Sequence, residues 1–146
     1  VKGHTESMEL TIPEKIGDVA VPELSVYSVG AHMHWAGVDM KIDVERKAAA
    51  SGEPPKECLL GTPKYDFNWQ RGYAYDEPFD KLPVVRAGDK LRFTCTYDNT
   101  TANPHVSKAM AEQRMSTPPE IRLGETTLDE MCLGAIVVVR RANLLD

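Results

Sequence analysis

The chain has 146 residues, and its 22 acidic and 17 basic side chains give a net charge of −5. A chain of this length is most simply one domain, residues 1–146, and can bury roughly two-thirds of its unfolded surface. The acidic balance disfavours nucleic acid and anionic membrane surfaces as partners, because both attract basic patches. The longest apolar run, Ala135–Val139, is far shorter than the ~20 residues of a membrane-spanning helix.

Short strand-like segments alternate with turn residues along the chain. The predicted strands are Met8–Ile12, Leu24–Trp35, Val38–Val44, Glu57–Leu60, Tyr65–Gln70, Lys81–Val84, Lys90–Tyr97 and Cys132–Arg140. Ala48–Ala50 runs into a Gly- and Pro-containing stretch and predicts a hairpin loop. Lys108–Arg114 predicts a short helical turn. The regular strand spacing predicts an all-β fold, a β-sandwich or jelly roll in a single domain.

The predicted strand Leu24–Trp35 carries two histidines, His32 and His34, at alternate positions. Residues i and i+2 of a strand point to the same face, so the two imidazoles converge while Met33 faces away. Such a pair can bind a metal ion if a third ligand approaches. The same pattern is also typical of a solvated strand face.

A methionine far along the chain is a candidate third ligand. Met131 stands in the segment Asp129–Cys132, and a thioether favours Cu(I), whereas imidazole accepts both oxidation states of copper. Met131 and Cys132 are adjacent, so in a strand they face opposite sides of the sheet. This disfavours a blue-copper centre, which needs a Cys thiolate beside two histidines. The lack of a CxxC pair disfavours structural zinc.

The three cysteines lie in different contexts. Cys95 lies in a strand that alternates apolar and polar residues, and Cys132 opens the last predicted strand. If these two pair, the bridge closes a loop of about 37 residues and stabilises the fold by roughly 4 kcal/mol. It would also indicate an oxidising compartment. Cys58 is then left over, either as a small buried apolar residue or as a thiol that pairs outside the chain.

Other polar and aromatic residues have two interpretations each. His4 and His105 are either exposed or additional metal ligands. The pair Asp129–Glu130 is either a general acid and base or a solvated turn before a strand. Tyr65–Gln70 either lines a ligand groove or forms a core strand with Phe67 inward.

Several segments, taken in order, resemble one family: the copper type II, ascorbate-dependent monooxygenases, which include the peptidylglycine-amidating and dopamine-hydroxylating enzymes. The resemblance covers about residues 8–140 and corresponds to the C-terminal half of the family's catalytic core. The segments that carry it are His32–Gly37, Tyr65–Gln70, Ala87–Asp89, Cys95–Thr100, Asn103–Pro104, Gly124–Thr127 and Asp129–Cys132.

The resemblance implies a function and a set of site residues. His32, His34 and Met131 would hold the copper that binds O2 and hydroxylates a C–H bond of a small organic substrate, with ascorbate as the external electron donor. Cys95 and Cys132 would form a disulfide. The fold would be a jelly-roll β-sandwich, and the protein would be secreted, periplasmic or extracellular.

The sequence also departs from this family. The family's core has a second jelly roll with an all-histidine copper centre that delivers an electron, and this chain lacks a matching segment. We therefore expect that hydroxylation needs a second copper-binding domain or partner chain. A non-catalytic copper-binding or interaction module is the alternative. Gly30 stands where the amidating members have an arginine, and Leu133 and Ala135 stand where they have asparagine and tyrosine, so peptide amidation is not expected.

Overall fold

A computed structural model of the chain describes residues 3–118, 120 and 122–140. Within these ranges it forms ten strands, one α-helix and two 3₁₀ turns. The strands are β1 (Gly3–Thr11), β2 (Lys15–Ile16), β3 (Val19–Ala20), β4 (Leu24–His32), β5 (Gly37–Glu45), β6 (Lys56–Thr62), β7 (Gly72–Ala74), β8 (Val84–Val85), β9 (Lys90–Asp98) and β10 (Leu133–Val139). The helix is α1 (Pro104–Glu112), and the 3₁₀ turns are Phe67–Trp69 and Phe79–Lys81.

The strands form two larger antiparallel sheets and one small hairpin. The first sheet has the order β1-β9-β5-β6, and the second has the order β10-β4-β7, with β8 also paired to β4. The strands β2 and β3 pair only with each other. The expectation of an all-β fold is thus confirmed for the described part of the chain. Within the same residues, no helix has the length and hydropathy of a membrane span.

The two sheets share one hydrophobic core. Burial alternates along β9, where Phe93 and Cys95 are buried between more exposed neighbours, because successive strand residues point to opposite faces. Gly134 on β10 lies directly against the Phe93 ring, where a Cβ would overlap it. The two sheets therefore pack face to face, as in a β-sandwich.

A disulfide joins the two sheets. Cys95 on β9 bonds to Cys132, which directly precedes β10, with Cα atoms 5.9 Å apart and a sequence separation of 37. The pairing implied by the resemblance is confirmed. It is compatible with an oxidising compartment.

The remaining cysteine differs from the interpretation as a buried apolar residue. Cys58 is exposed and unbonded, because β6 is the edge strand of its sheet and the alternation buries the neighbouring Leu59 instead.

Several other elements differ from the sequence predictions. The strand predicted over Lys81–Val84 is wrong, since a 3₁₀ turn ends at Lys81 and β8 begins only at Val84, and β4 ends at His32 rather than at Trp35. The strand predicted over 65–70 is wrong: the Asp66 side chain accepts a 2.8 Å hydrogen bond from Asn68 N and caps a 3₁₀ turn. The helix α1 begins at Pro104, earlier than predicted, because Asn103 caps it by accepting a hydrogen bond from His105 N. Residues 46–55 form a loop between β5 and β6, as the sequence predicts.

Candidate metal centre

The end of β4 brings His32 and His34 together. His32 is the last residue of the strand and His34 follows the fully buried Met33. The two imidazole centroids are 5.3 Å apart, with their planes nearly perpendicular at 86°. The alternation expected from the sequence is therefore present, with the histidines on one side and Met33 in the core.

Each imidazole has an oxygen acceptor at Nδ1. His32 Nδ1 is hydrogen-bonded to Gln70 Oε1, and His34 Nδ1 lies 3.3 Å from the carbonyl oxygen of Asp129. The orientation of the Gln70 amide is fixed, because its Nε2 donates a 2.9 Å hydrogen bond to Phe67 O. Carbonyl oxygens only accept, so each Nδ1 carries a proton, and in the neutral form of each imidazole Nε2 keeps its lone pair. Metal-ligating histidines typically donate such a hydrogen bond from the ring nitrogen that does not bind the metal.

The segment that carries Met131 runs along the histidine pair. Asp129 contacts His34, and two residues beyond Met131, Leu133 pairs with His32 in the β4–β10 ladder. Trp35 N also donates to Thr127 O at 3.2 Å, which holds the same segment beside residue 35. Met131 is thus bracketed in sequence by contacts to both histidines, while its neighbour Cys132 is bonded to Cys95 in the core.

A tyrosine fixes the backbone between the two histidines. Tyr65 Oη donates to Met33 O at 2.8 Å and accepts from Met33 N at 2.9 Å. Burial raises the pKa of Tyr65, so its hydroxyl stays a donor at neutral pH. The sequence pointed to the segment that contains Tyr65 and Gln70 as a groove or core strand, yet these two residues instead support the histidine pair.

An open groove of about 550 Å³ lies beside His32. Its lining includes Gly30, Leu133 and Ala135. A Cβ at Gly30 would lie 3.2 Å from Arg71 O. The groove is therefore open at this point because residue 30 has no side chain. These positions therefore line a space next to a candidate metal ligand.

The other two histidines lie elsewhere and are partly buried. His105 lies 3.8 Å from Asp66 Oδ1, and its ring centroid is 5.9 Å from that of Trp35. His4 lies 2.9 Å from Glu130 Oε1. The structure therefore places neither in a fully exposed position.

Of the pair Asp129–Glu130, only Asp129 lies in a solvated turn, whereas Glu130 is buried. Asp129 accepts a hydrogen bond from Thr126 N at 2.9 Å, and hydrogen bonds from Thr126 lower the pKa of Asp129. Glu130 is buried, with 6% of its surface exposed, and burial raises the pKa of Glu130. The sequence missed this burial because it arises from the packing of β1 against a segment more than a hundred residues later.

The sequence matches no protein-family model and no curated protein. The function is therefore argued from the histidine pair, its hydrogen bonds and the segment that carries Met131.

Proposed function

We propose that this chain is the copper- and O2-binding domain of an ascorbate-dependent monooxygenase that hydroxylates a C–H bond of a small organic substrate. His32, His34 and Met131 are the proposed copper ligands. The observation that carries the proposal is the pair of adjacent imidazoles whose Nδ1 atoms both face oxygen acceptors, which leaves both Nε2 atoms available.

The donor set fits copper better than the common alternatives. Two imidazoles and a thioether suit Cu(I), while hard cations such as Mg²⁺ and Ca²⁺ prefer oxygen ligands. Three protein ligands leave a coordination position for a small molecule. The chemistry that copper supplies at such a site is O2 binding and the transfer of one electron at a time.

The protein's own residues have positioning roles in this proposal. Gln70 and the Asp129 carbonyl hold the tautomer and orientation of the two imidazoles. Tyr65 holds the backbone between them. Rigid support of this kind keeps ligands in place without reorganisation during the reaction.

The groove beside His32 is the proposed substrate site. It places a bound molecule next to a copper ligand, and its volume of about 550 Å³ suits a small organic molecule. Gly30, Leu133 and Ala135 leave it without the side chains that the amidating enzymes use. Peptide amidation is therefore not proposed.

Hydroxylation requires two electrons, and one copper supplies one of them. We therefore include in the proposal a second copper-binding domain or partner chain, with ascorbate as external donor. The two facing antiparallel sheets support a jelly roll as the finer topology. The disulfide supports a secreted, periplasmic or extracellular location.

Titration with Cu(I) tests the ligand assignment. We expect the variants His32→Ala and Met131→Ala each to lower Cu(I) affinity at least about tenfold. The matched control is His105→Ala, which removes a half-buried imidazole from outside the proposed centre and should leave affinity unchanged. Unchanged affinity in both ligand variants would contradict the proposal.

A non-catalytic copper-binding or interaction module is the second candidate. It is favoured by the histidine count, because four histidines leave only two beyond His32 and His34, too few to imitate the family's all-histidine centre. Ascorbate- and O2-dependent hydroxylation by the chain alone would exclude this module. The same result would also contradict the need for a second copper domain.

A further inference from the structure

Three ionisable side chains meet at the outer edge of the first sheet, apart from the histidine pair. His4 and Glu6 are alternate residues of β1, so their side chains share one face of the strand. Glu130 approaches them from the segment before β10, where its N–H donates a 2.7 Å hydrogen bond to Arg122 O. His4 Nε2 is 2.9 Å from Glu130 Oε1 and 3.5 Å from Glu6 Oε1.

These separations match those between ligands of a single metal ion. With metal–ligand bonds of about 2.1 Å, ligands at 90–110° to each other are about 3.0–3.4 Å apart. The two measured distances, 2.9 and 3.5 Å, lie close to this range, and one ligand atom from each of the three residues lies within 4.8 Å of the others. No side chain has to change its position by more than a small amount to share a cation.

The burial of Glu130 indicates a missing partner. Its side chain is 8% exposed, and the nearest group to Oε1 is His4 Nε2 at 2.9 Å, which makes no well-aligned hydrogen bond with it. A buried carboxylate oxygen without a hydrogen bond is costly. The His4 ring is fixed by stacking on Tyr97, with centroids 5.2 Å apart. A buried carboxylate oxygen without a well-aligned hydrogen bond and a stacked imidazole thus lie side by side.

Charge balance favours a divalent ion over an ion pair. If His4 were protonated, two carboxylates would face one imidazolium, and the three side chains together would keep one net negative charge. A divalent cation neutralises both carboxylates and leaves His4 as a neutral ligand.

We propose that His4, Glu6 and Glu130 form a second metal site, which binds a borderline divalent cation such as Zn²⁺ and is separate from the proposed copper centre. One imidazole with two carboxylates is a ligand set that Zn²⁺ accepts. The absence of a thioether or thiolate among these three residues distinguishes the set from the proposed Cu(I) ligands. The inference does not depend on copper binding. Because Glu130 directly precedes Met131, an ion here also fixes the backbone next to the proposed copper ligand.

Calorimetric titration of the full chain with Zn²⁺ tests this site, with the histidine pair removed first. In the double variant His32→Ala/His34→Ala we expect one Zn²⁺ per chain. Adding Glu6→Gln or Glu130→Gln should lower its affinity at least about tenfold. The matched control is Glu9→Gln, which makes the same charge change on the same strand at a residue that pairs with Arg92 and Lys90.

The outcomes separate the two metal sites. The second site is overturned if the double variant binds no Zn²⁺. It is also overturned if Glu6→Gln and Glu130→Gln leave the Zn²⁺ affinity of the double variant unchanged. Neither result bears on the copper ligands. Glu6 has 64% of its side chain exposed, so its variant decides the question if Glu130→Gln prevents folding.

Discussion

At the scale of single residues, the function depends on which neighbours the two histidines have. A His-x-His pair on a strand is by itself compatible with a solvated face. What distinguishes His32 and His34 is an oxygen acceptor at each Nδ1, supplied by Gln70 and Asp129 from 38 and 95 residues away in sequence. Spacing in the sequence predicts that the imidazoles converge, but such distant acceptors become visible only in the fold.

Gln70 should control metal affinity without being a ligand. The variant Gln70→Leu removes the acceptor at His32 Nδ1, and we expect Cu(I) affinity to fall about 10- to 100-fold. Gln70→Glu keeps an acceptor oxygen and should restore affinity to near the wild-type value. A competition titration with a Cu(I) chelator measures both.

The control for this pair of variants is Gln113→Leu, at the exposed end of α1. Circular dichroism would show that each variant is folded. If Gln70→Leu binds Cu(I) as tightly as the wild type, Gln70 has no role in orienting His32.

At the scale of elements, most strands follow from alternation, while the local exceptions follow from side-chain caps. β5 and β9 extend at most one residue beyond their predicted ends, because apolar and polar residues alternate throughout them. The aromatic segment at 65–70 has strand-like residues, but the Asp66 cap produces a 3₁₀ turn instead. Asn103 followed by Pro104 is a helix-start signature, which the sequence analysis interpreted only as the end of a turn.

An ion pair between the β5–β6 loop and the residue after β8 should make the stability of the fold depend on pH. Arg86 donates two hydrogen bonds of 2.9 Å to Glu53 in the β5–β6 loop. These bonds are the main reason why the pKa of Glu53 is lower than the ordinary glutamate value. A carboxyl with a lowered folded-state pKa stabilises above its unfolded pKa and loses this effect as the pH falls through its folded pKa.

We therefore expect Glu53→Gln to lower the free energy of unfolding near neutral pH by at most about 1 kcal/mol, since solvent screens this pair. The gap between wild type and variant should narrow as the pH falls through the lowered folded-state pKa of Glu53, because the wild-type carboxyl then becomes neutral as well. Urea unfolding at neutral and at acid pH measures it, with Glu112→Gln on α1 as the exposed control. A gap that widens in acid would contradict this role of the ion pair.

At the scale of the whole molecule, the disulfide links the core to the candidate metal centre. Cys95 lies on β9 of the first sheet, and Cys132 stands between Met131 and β10. The bond therefore holds the two sheets together and holds the segment that carries Met131. Fold class and this pairing could be anticipated from the sequence and its resemblance.

Removing the disulfide should destabilise the whole fold. The double variant Cys95→Ala/Cys132→Ala should lose about 4 kcal/mol of unfolding free energy, the loop-closure value for a separation of this length. Cys58→Ser changes an exposed, unbonded thiol and should have almost no effect. Urea unfolding measures the difference, and equal midpoints for the double variant and the wild type would contradict the structural role.

The cluster of His4, Glu6 and Glu130 could not be anticipated from the sequence. Glu130 has the sequence context of a turn, and β1 begins five residues before its predicted start. Only the packing of β1 beside β9 brings His4 to Glu130. Long-range contacts of this kind leave no local pattern.

X-ray absorption at the copper edge of the Cu(I)-loaded chain tests the central claim most directly. We predict two nitrogen neighbours and one sulfur neighbour for the wild type, with the sulfur lost in Met131→Ala and one nitrogen lost in His32→Ala. Cys58→Ser should keep the sulfur, which identifies the scatterer as the thioether. A wild-type spectrum without sulfur, or with a sulfur that survives Met131→Ala, would contradict the assignment of His32, His34 and Met131 as the copper ligands.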